Sequence, residues 1–363
     1  MSWRQSEAAA SGHDASQPDE PVSRTSRKRR DTLSRRWLYI LRTTNPPRRV
    51  SLTELDPISR WLVVTRAAVL PMTATAGLIA LLVAIQDTHV DVLDFVLAFV
   101  GILAAHTSNN LINDVTDTGS GNDTDSYPRT LYAPHPILSG LVTTRQLWVA
   151  IALVNLVDLA ILVVLTVRVG WPVLAFGLGG FLLSVAYTVP PLRLKKRGLG
   201  ELDVFLTWGP LMVGGTYYAS TGQLTWQVVV ASIPYGLLCT AVLMGKHTDK
   251  IPYDAPTGTR TLPVLLGERP SELVTLGMMA AYYPAIAVCV LVGALPWPAL
   301  LAVAAIPRLV KIWPWFLRSR PDEPPAPNPV WPLWFAPLAF LHTLPAGSLL
   351  VLGLAVSAVF GIG

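Results

Sequence analysis

Nine long, mostly apolar stretches dominate this sequence, at 63–85, 92–112, 147–167, 170–189, 202–219, 226–244, 272–292, 297–312 and 338–360. An α-helix needs about 20 such residues to cross the hydrocarbon core of a bilayer. Backbone N–H and C=O groups in lipid must be paired within the protein, which leaves helices or a closed barrel. The runs are continuous rather than alternating, so they predict helices. Only 14% of the 363 residues are charged, against roughly 25% in soluble globular chains. The expected fold class is therefore all-α: a polytopic membrane protein built as a bundle of about nine transmembrane helices.

Basic residues give an independent reading of the topology. Twelve of the 28 Lys and Arg lie in the first sixty residues, many of them in "SRTSRKRRDTLSRRW". Residues 1–35 lack an apolar core and predict a disordered basic tail, followed by a membrane domain over 36–363. No short apolar stretch follows the first charges, so the tail does not read as a cleavable signal. Its charge suits anionic lipid headgroups or the fixing of orientation, and suits nucleic acid poorly. With a cytoplasmic N-terminus, the five opposite-side segments hold one basic residue, Arg168. The cytoplasmic loops then hold Arg129, Arg145, "RLKKR" at 193–197, Lys246, Lys250, Arg260, Arg269, Arg318 and Arg320. That asymmetry obeys the positive-inside rule and predicts a multi-pass cell-membrane protein with a cytoplasmic N-terminus.

Acidic residues concentrate on the same predicted side. "NNLINDVTDTGSGNDTD" (109–125) follows the second run, and "GKHTDKIPYDAPTGTRTLPVLLG" (245–267) follows the sixth. Asn110, Asn113, Asp114 and Asp117 are spaced i, i+3, i+4 and i+7, one face of a helix. Carboxylates so close repel one another unless a cation compensates them. Mg²⁺ commonly takes one or two carboxylates and completes its shell with phosphate oxygens and water. The basic segment "RLKKRGLGE" adds four positive charges, and acids converging with bases suit a metal-bound, highly anionic ligand. A diphosphate fits that description. Spacing alone does not rank the two Asn-x-x-x-Asp frames, 110/114 and 113/117.

These residues carry a resemblance to the UbiA superfamily of intramembrane prenyltransferases. "NDVTD" (113–117) resembles the family's first Asp-rich motif, and "GTRTLPVLLG" (258–267) the stretch that closes its second. "TGSGND" and "YTVPPLRLKKRGLGELDVFLTWGPLMVGGTYY" (187–218) are similar to the branch that prenylates 1,4-dihydroxy-2-naphthoate in menaquinone biosynthesis, with Gly121 and Asp123 in the motif's closing positions. The second motif departs from the pattern: Asp249-Lys250 stands where Arg-Asp is expected, and Lys246 where Asn is expected. Pro252 between Asp249 and Asp254 is expected to break the helix.

The resemblance implies an enzyme that transfers a prenyl group from a prenyl diphosphate to an aromatic small-molecule acceptor within the bilayer, with Mg²⁺ as cofactor. It implies Asp117, Asp123, Asp249 and Asp254 as metal ligands, with Asp114 as a ligand or orienting group. Asn110 and Asn113 would bind substrate beside them. Arg193, Lys195, Lys196 and Arg197, with Lys246 and Lys250, would neutralise the departing pyrophosphate, and Asp117, Asp254 and Lys246 would be central to catalysis. Tyr187, at the end of the fourth run, would face the allylic cation, a contact worth ~0.5–2 kcal/mol, or else anchor the helix at the interface. Arg66 would meet an acceptor carboxylate. A UbiA-type terpene cyclase, or transfer to a non-quinone acceptor, keeps the fold and changes the chemistry. A cation carrier would need ionisable residues near the span midpoints, where the sequence has almost none.

Other chemistry-bearing residues are expected to be bland. Cys239 and Cys289 read as small core residues, His106 as hydrogen-bonded within the bundle, and His247 as a solvated loop residue in preference to a proton acceptor. The Pro pairs at 190–191 and 324–325 are expected to end helices. Nothing in the sequence points to a protein partner.

Overall fold

The structure, a computed structural model, describes residues 33–119, 124, 126–323 and 328–362. Most of the predicted tail, Asp123 and the 324–325 Pro pair lie outside the described residues. All regular elements among the described residues are helical. In chain order they begin with α1 (Leu33–Thr43), α2 (Pro57–Val64), α3 (Leu70–Asp87), α4 (Val92–Gly119) and α5 (Pro128–Tyr132). The middle of the chain forms α6 (Thr144–Val169), α7 (Trp171–Thr188), α8 (Gly200–Leu206), α9 (Gly215–Thr221) and α10 (Trp226–Asp254). The last third forms α11 (Leu262–Leu266), α12 (Glu268–Leu291), α13 (Ile306–Phe316) and α14 (Phe335–Phe360).

Eight helical segments among the described residues are long and apolar enough to cross a bilayer. The fifth predicted run, 202–219, is helical but broken. α8 leads into a π-helical stretch, Thr207–Gly214, and then into α9, with Gly209 leaving helical geometry at φ −88°, ψ −108°. Pro210 has no N–H to give the preceding turn, which favours a break at this point. Gly209 also lets α10 approach: a Cβ built on Gly236 of α10 would lie 3.3 Å from the Gly209 Cα. Close passage of backbones over small residues is a common packing solution in membranes.

α10 lies at the centre of the bundle, packed against α12, α14 and the broken α8–α9 segment. Three fully buried tyrosines fasten its surroundings. Tyr235 on α10 donates to the Met72 carbonyl (2.9 Å), Tyr282 on α12 to Ala346 (2.9 Å), and Tyr217 on α9 to Asp87 (3.0 Å). Each hydroxyl is satisfied by a neighbouring helix, as burial of a phenol requires. α6 and α7, by contrast, leave Leu153, Leu156, Val163 and Leu182 exposed, the surface of lipid-facing helices. His106 bonds Thr73 (2.7 Å) inside the bundle, as expected.

Two details place the site. The first predicted span does not run straight through: α2 stops at Val64, and Arg66 takes a left-handed conformation (φ 54°) before α3 begins. Asn110 on α4 donates to the Thr65 carbonyl (3.1 Å) and holds that break against α4. The second detail corrects the predicted loop after residue 244. α10 continues to Asp254 with Pro252 inside its last turn, where the missing N–H forfeits one helical bond without ending the helix. The other predicted break holds, since α7 ends at Thr188 before the 190–191 Pro pair.

Candidate functional site

A polar cavity of about 60 Å³ opens where the ends of α4, α7 and α10 meet α5 and the 193–197 turn. α4 contributes Asn113 and Asp117, one turn apart. α10 contributes Lys246, Lys250 and Asp254, spaced i, i+4 and i+8, which keeps all three on one face of the extended helix. Tyr187 stands at the end of α7, and Lys195 and Lys196 approach from the turn that follows. Gly200 makes that turn compact: a Cβ there would lie 3.1 Å from the Lys195 Cα and 3.2 Å from the Tyr187 ring.

Electrostatically the cavity suits a polyanion. Arg66, Arg129, Lys195, Lys196, Lys246 and Lys250 line it, against the carboxylates of Asp117 and Asp254. Even with Asp114 behind them, this leaves three positive charges in excess. The Lys195 ammonium lies 2.5 Å from Asp117 and 5.9 Å from the centre of the Tyr187 ring. Asp254 accepts from the Tyr127 hydroxyl (2.7 Å), which in turn accepts from Lys250 (3.0 Å). Burial pushes the Tyr127 phenol above its usual range, so it acts as a hydrogen-bond donor to the carboxylate. Burial also lowers Lys196. Burial alone would raise Tyr132, but Lys246, Arg66 and Arg129 outweigh it and bring that phenol down to about 8.

Several expected site residues do other work. Asp114 does not face the cavity: it is fully buried, and Arg129 grips it with Nε and Nη2, both at 3.1 Å. Arg66 Nη2 bonds the same carboxylate, and His135 lies 3.8 Å away. Of its two expected roles, ligand or orienting group, this geometry matches the second: a counter-ion that aims two guanidinium groups. Asp249, expected as a metal ligand, is corrected. It lies about a hundred degrees around α10 from Lys250, and its two oxygens accept from the Phe335 and Ala336 N–H groups (3.0 and 2.9 Å). These are unpaired donors at the start of α14, so Asp249 fastens two helices together. Asn110, the tether to Thr65, does not line the cavity, nor do Arg193 and Arg197. Arg193 opens its turn with φ 45°, and Arg197 bonds the Pro191 carbonyl (2.9 Å).

Arg129, Tyr127, Tyr132 and the threonines 257, 259 and 261 line the cavity without having been singled out from the sequence. No signal in the sequence joins Arg129 to Asp114; only once Asp114 is seen to be buried does it demand a cation. His247 was expected in solvent. Instead it is buried, lines the cavity, and bonds Glu201 on α8 through Nδ1 (2.7 Å).

No three His, Cys, Asp or Glu side chains converge as a bare metal site among the described residues. Two carboxylates, Asp117 and Asp254, line the same cavity as the Asn113 amide, whose oxygen also accepts from Thr188. Such an oxygen set suits a Mg²⁺ ion that shares its shell with phosphate oxygens. A second cavity, of about 360 Å³ and mostly apolar, lies between α4, α6, α7 and the broken segment. Its upper residues, Asn109 and Ser184, are one helical turn from Asn113 and Thr188, and Asn113 donates to Asn109 (2.7 Å). A charged chamber thus stands directly beside a greasy one, which accommodates an ionic head and a hydrocarbon tail.

Comparison with known proteins agrees with this arrangement. The UbiA prenyltransferase family matches residues 70–331. The chain is 31% identical over 143 residues to a 2-carboxy-1,4-naphthoquinone phytyltransferase of Synechocystis, covering 39% of this chain and 46% of that protein. It is 31% identical over 225 residues to a 1,4-dihydroxy-2-naphthoate octaprenyltransferase of Haemophilus influenzae, covering 60% of this chain and 71% of that protein. Its fold resembles that of a UbiA homolog from Aeropyrum pernix K1, with a TM-score of 0.57 at 17% identity over 79% of this chain and 97% of that one. The chain is therefore an integral membrane prenyltransferase and belongs to the UbiA prenyltransferase family.

Proposed function

We propose that this enzyme transfers a prenyl group from a prenyl diphosphate to a hydroxylated aromatic acid, with 1,4-dihydroxy-2-naphthoate the favoured acceptor. The observation that carries the reading is the pairing of a cationic chamber with an apolar cavity one helical turn away. The diphosphate occupies the first and the isoprenoid chain extends into the second. Asp117 and Asp254, with Asn113, would hold Mg²⁺, which supplies Lewis-acid charge to the leaving pyrophosphate.

The chain's own residues account for the remaining charge management. Lys195, Lys196, Lys246 and Lys250 counter the charge that grows on pyrophosphate as the allylic C–O bond breaks. Their effect is larger in the transition state than in the bound substrate, which is the requirement for faster ionisation. The Tyr187 ring, with Lys195 above it, offers a π face to the allylic cation once that ammonium turns to the leaving group. Arg66, aimed by Asp114, receives the acceptor's carboxylate. The Lys and Arg bias of the loops supports a cytoplasmic site. The naphthoate and naphthoquinone names of the relatives support the acceptor class.

The test uses purified protein in detergent with Mg²⁺, labelled prenyl diphosphates of several lengths, and candidate aromatic acids. Acceptor-dependent release of pyrophosphate with a prenylated naphthoate as product is the expected result. Release without an acceptor, accompanied by a cyclic hydrocarbon, would replace the transfer reading with cyclisation.

A further inference from the structure

The transfer reaction needs a group that takes a proton. As the acceptor ring forms its new C–C bond to the allylic carbon, the C–O pair leaves on pyrophosphate. The phenolic O–H that feeds electrons into the ring must give up its proton. Asp117 and Asp254 belong to the metal and pyrophosphate, and Asp117 is already paired with Lys195 at 2.5 Å.

We propose that His247, held by Glu201 through Nδ1, is the general base that removes the acceptor's hydroxyl proton through Nε2. The assignment rests on the prenyl-transfer reading and extends it. Three observations carry it. His247 is 5% exposed yet lines the cavity, so its ring lies between the protein interior and the ligand space. Its Nδ1 is committed to Glu201 at 2.7 Å, which fixes the ring and leaves Nε2 as the nitrogen available for chemistry. Glu201 is itself buried, and its second oxygen has no hydrogen-bond partner among the described residues.

A buried carboxylate so placed has a specific consequence. It orients the imidazole, and it balances the imidazolium formed when the proton arrives, as the carboxylate does in other acid–histidine pairs. Lys246 and Lys250 on α10, Lys195 on its turn and Arg66 oppose that charge from the cavity side. Glu201 on α8 lies buried on the other, at the Nδ1 side of the ring. After the first proton leaves, the ring is a keto tautomer; its ring-carbon proton then departs to water, or its carboxylate as CO2. The enolate oxygen so formed takes the proton back from His247, which restores the hydroxylated aromatic ring and the free imidazole. Glu201 is a positioning residue in this scheme.

His247→Asn tests the idea, because an amide nitrogen near the Nδ1 position can keep the bond to Glu201 while nothing replaces Nε2. The readouts are affinity for a non-reactive prenyl thiolodiphosphate and turnover with a hydroxylated acceptor. Affinity is expected within about threefold of wild type, while transfer falls about 10²- to 10³-fold, the usual scale of a lost general base. Free imidazole should restore part of the activity of His247→Ala, which leaves space for it. With the acceptor hydroxyls methylated, wild type and His247→Asn should react at the same low rate. Transfer within threefold of wild type in His247→Asn, or analogue affinity falling in step with transfer, would overturn the assignment. If wild-type protein prenylates no acceptor, the transfer reading fails first and this one with it.

Discussion

The two acid-bearing helix ends, of α4 and α10, look alike in composition and differ in use. Each places one carboxylate in the cavity, Asp117 and Asp254, and buries another outside it, Asp114 and Asp249. At α4 the buried acid is an electrostatic anchor that aims Arg66 and Arg129. At α10 it is a mechanical one, receiving two backbone N–H groups from the start of α14. The α10 face then adds Lys246 and Lys250 where α4 adds the Asn113 amide. The α4 side of the chamber thus faces the metal ion alone, while the α10 side combines one metal-facing carboxylate with cations for the anion itself. The lesson is that acidic residues near a membrane surface divide by helical face, and that counting them overstates the ligand set.

The largest expected effect lies on the α4 side. Asp117→Asn keeps the shape and removes the charge that pairs with Lys195. Pyrophosphate release should fall by about 10³-fold, in line with loss of a principal electrostatic group at a reacting centre, while the thermal transition of the detergent-solubilised protein stays within a few degrees. Near-normal release from that variant would remove α4 from the metal side of the comparison.

Asp114→Ala should do the opposite, damaging the fold first. Removing one partner from a buried ion pair typically costs about 3–5 kcal/mol, because the remaining charge is left uncompensated, and here two guanidinium groups lose their common partner. A sharply lowered thermal transition is expected, with loss of acceptor affinity in whatever protein survives. A normal transition together with weakened Mg²⁺ binding would return Asp114 to the ligand set.

How much of this was legible in the sequence follows from where side chains point. The bundle was readable because lipid imposes length and apolarity on every span. The Lys195, Lys196 and Asp117 contributions were readable because charge had to gather at one membrane face. Asp249 was misplaced because the helix was expected to end near 244, and Pro252 reinforced that expectation. Once α10 runs on to Asp254, its period separates Gly245 and Asp249 from Lys246, Lys250 and Asp254. Gly245 states the same division, since a Cβ there would lie 2.9 Å from the Phe335 backbone. His247 was hidden for a related reason: its partner Glu201 is 46 residues away, and no local pattern joins them. Arg129 reaches Asp114 across a turn whose path spacing does not dictate.

Asp249→Ala separates the two helix ends at a smaller scale. Leaving the first N–H groups of a helix without an acceptor costs about 0.5–2 kcal/mol, so the thermal transition should drop modestly. Mg²⁺ dependence and diphosphate affinity should stay near wild type. A strongly raised Mg²⁺ requirement would instead return Asp249 to the metal ligands beside Asp254.

The mildest change sharpens the anion side. Tyr127→Phe removes the hydroxyl between Asp254 and Lys250 and leaves the ring, which lies 4.4 Å from the Lys250 ammonium. The lost bond to a charged acceptor is worth about 1.5–3 kcal/mol at most, and Lys250 can recover part of it by moving onto Asp254 directly. That move would neutralise Asp254 and draw positive charge away from the diphosphate, so KM for the prenyl diphosphate should rise several-fold with little change in kcat. The opposite pattern, kcat falling at constant KM, would mean that the Tyr127 hydroxyl acts only in the transition state and that Asp254 depends on it for more than position.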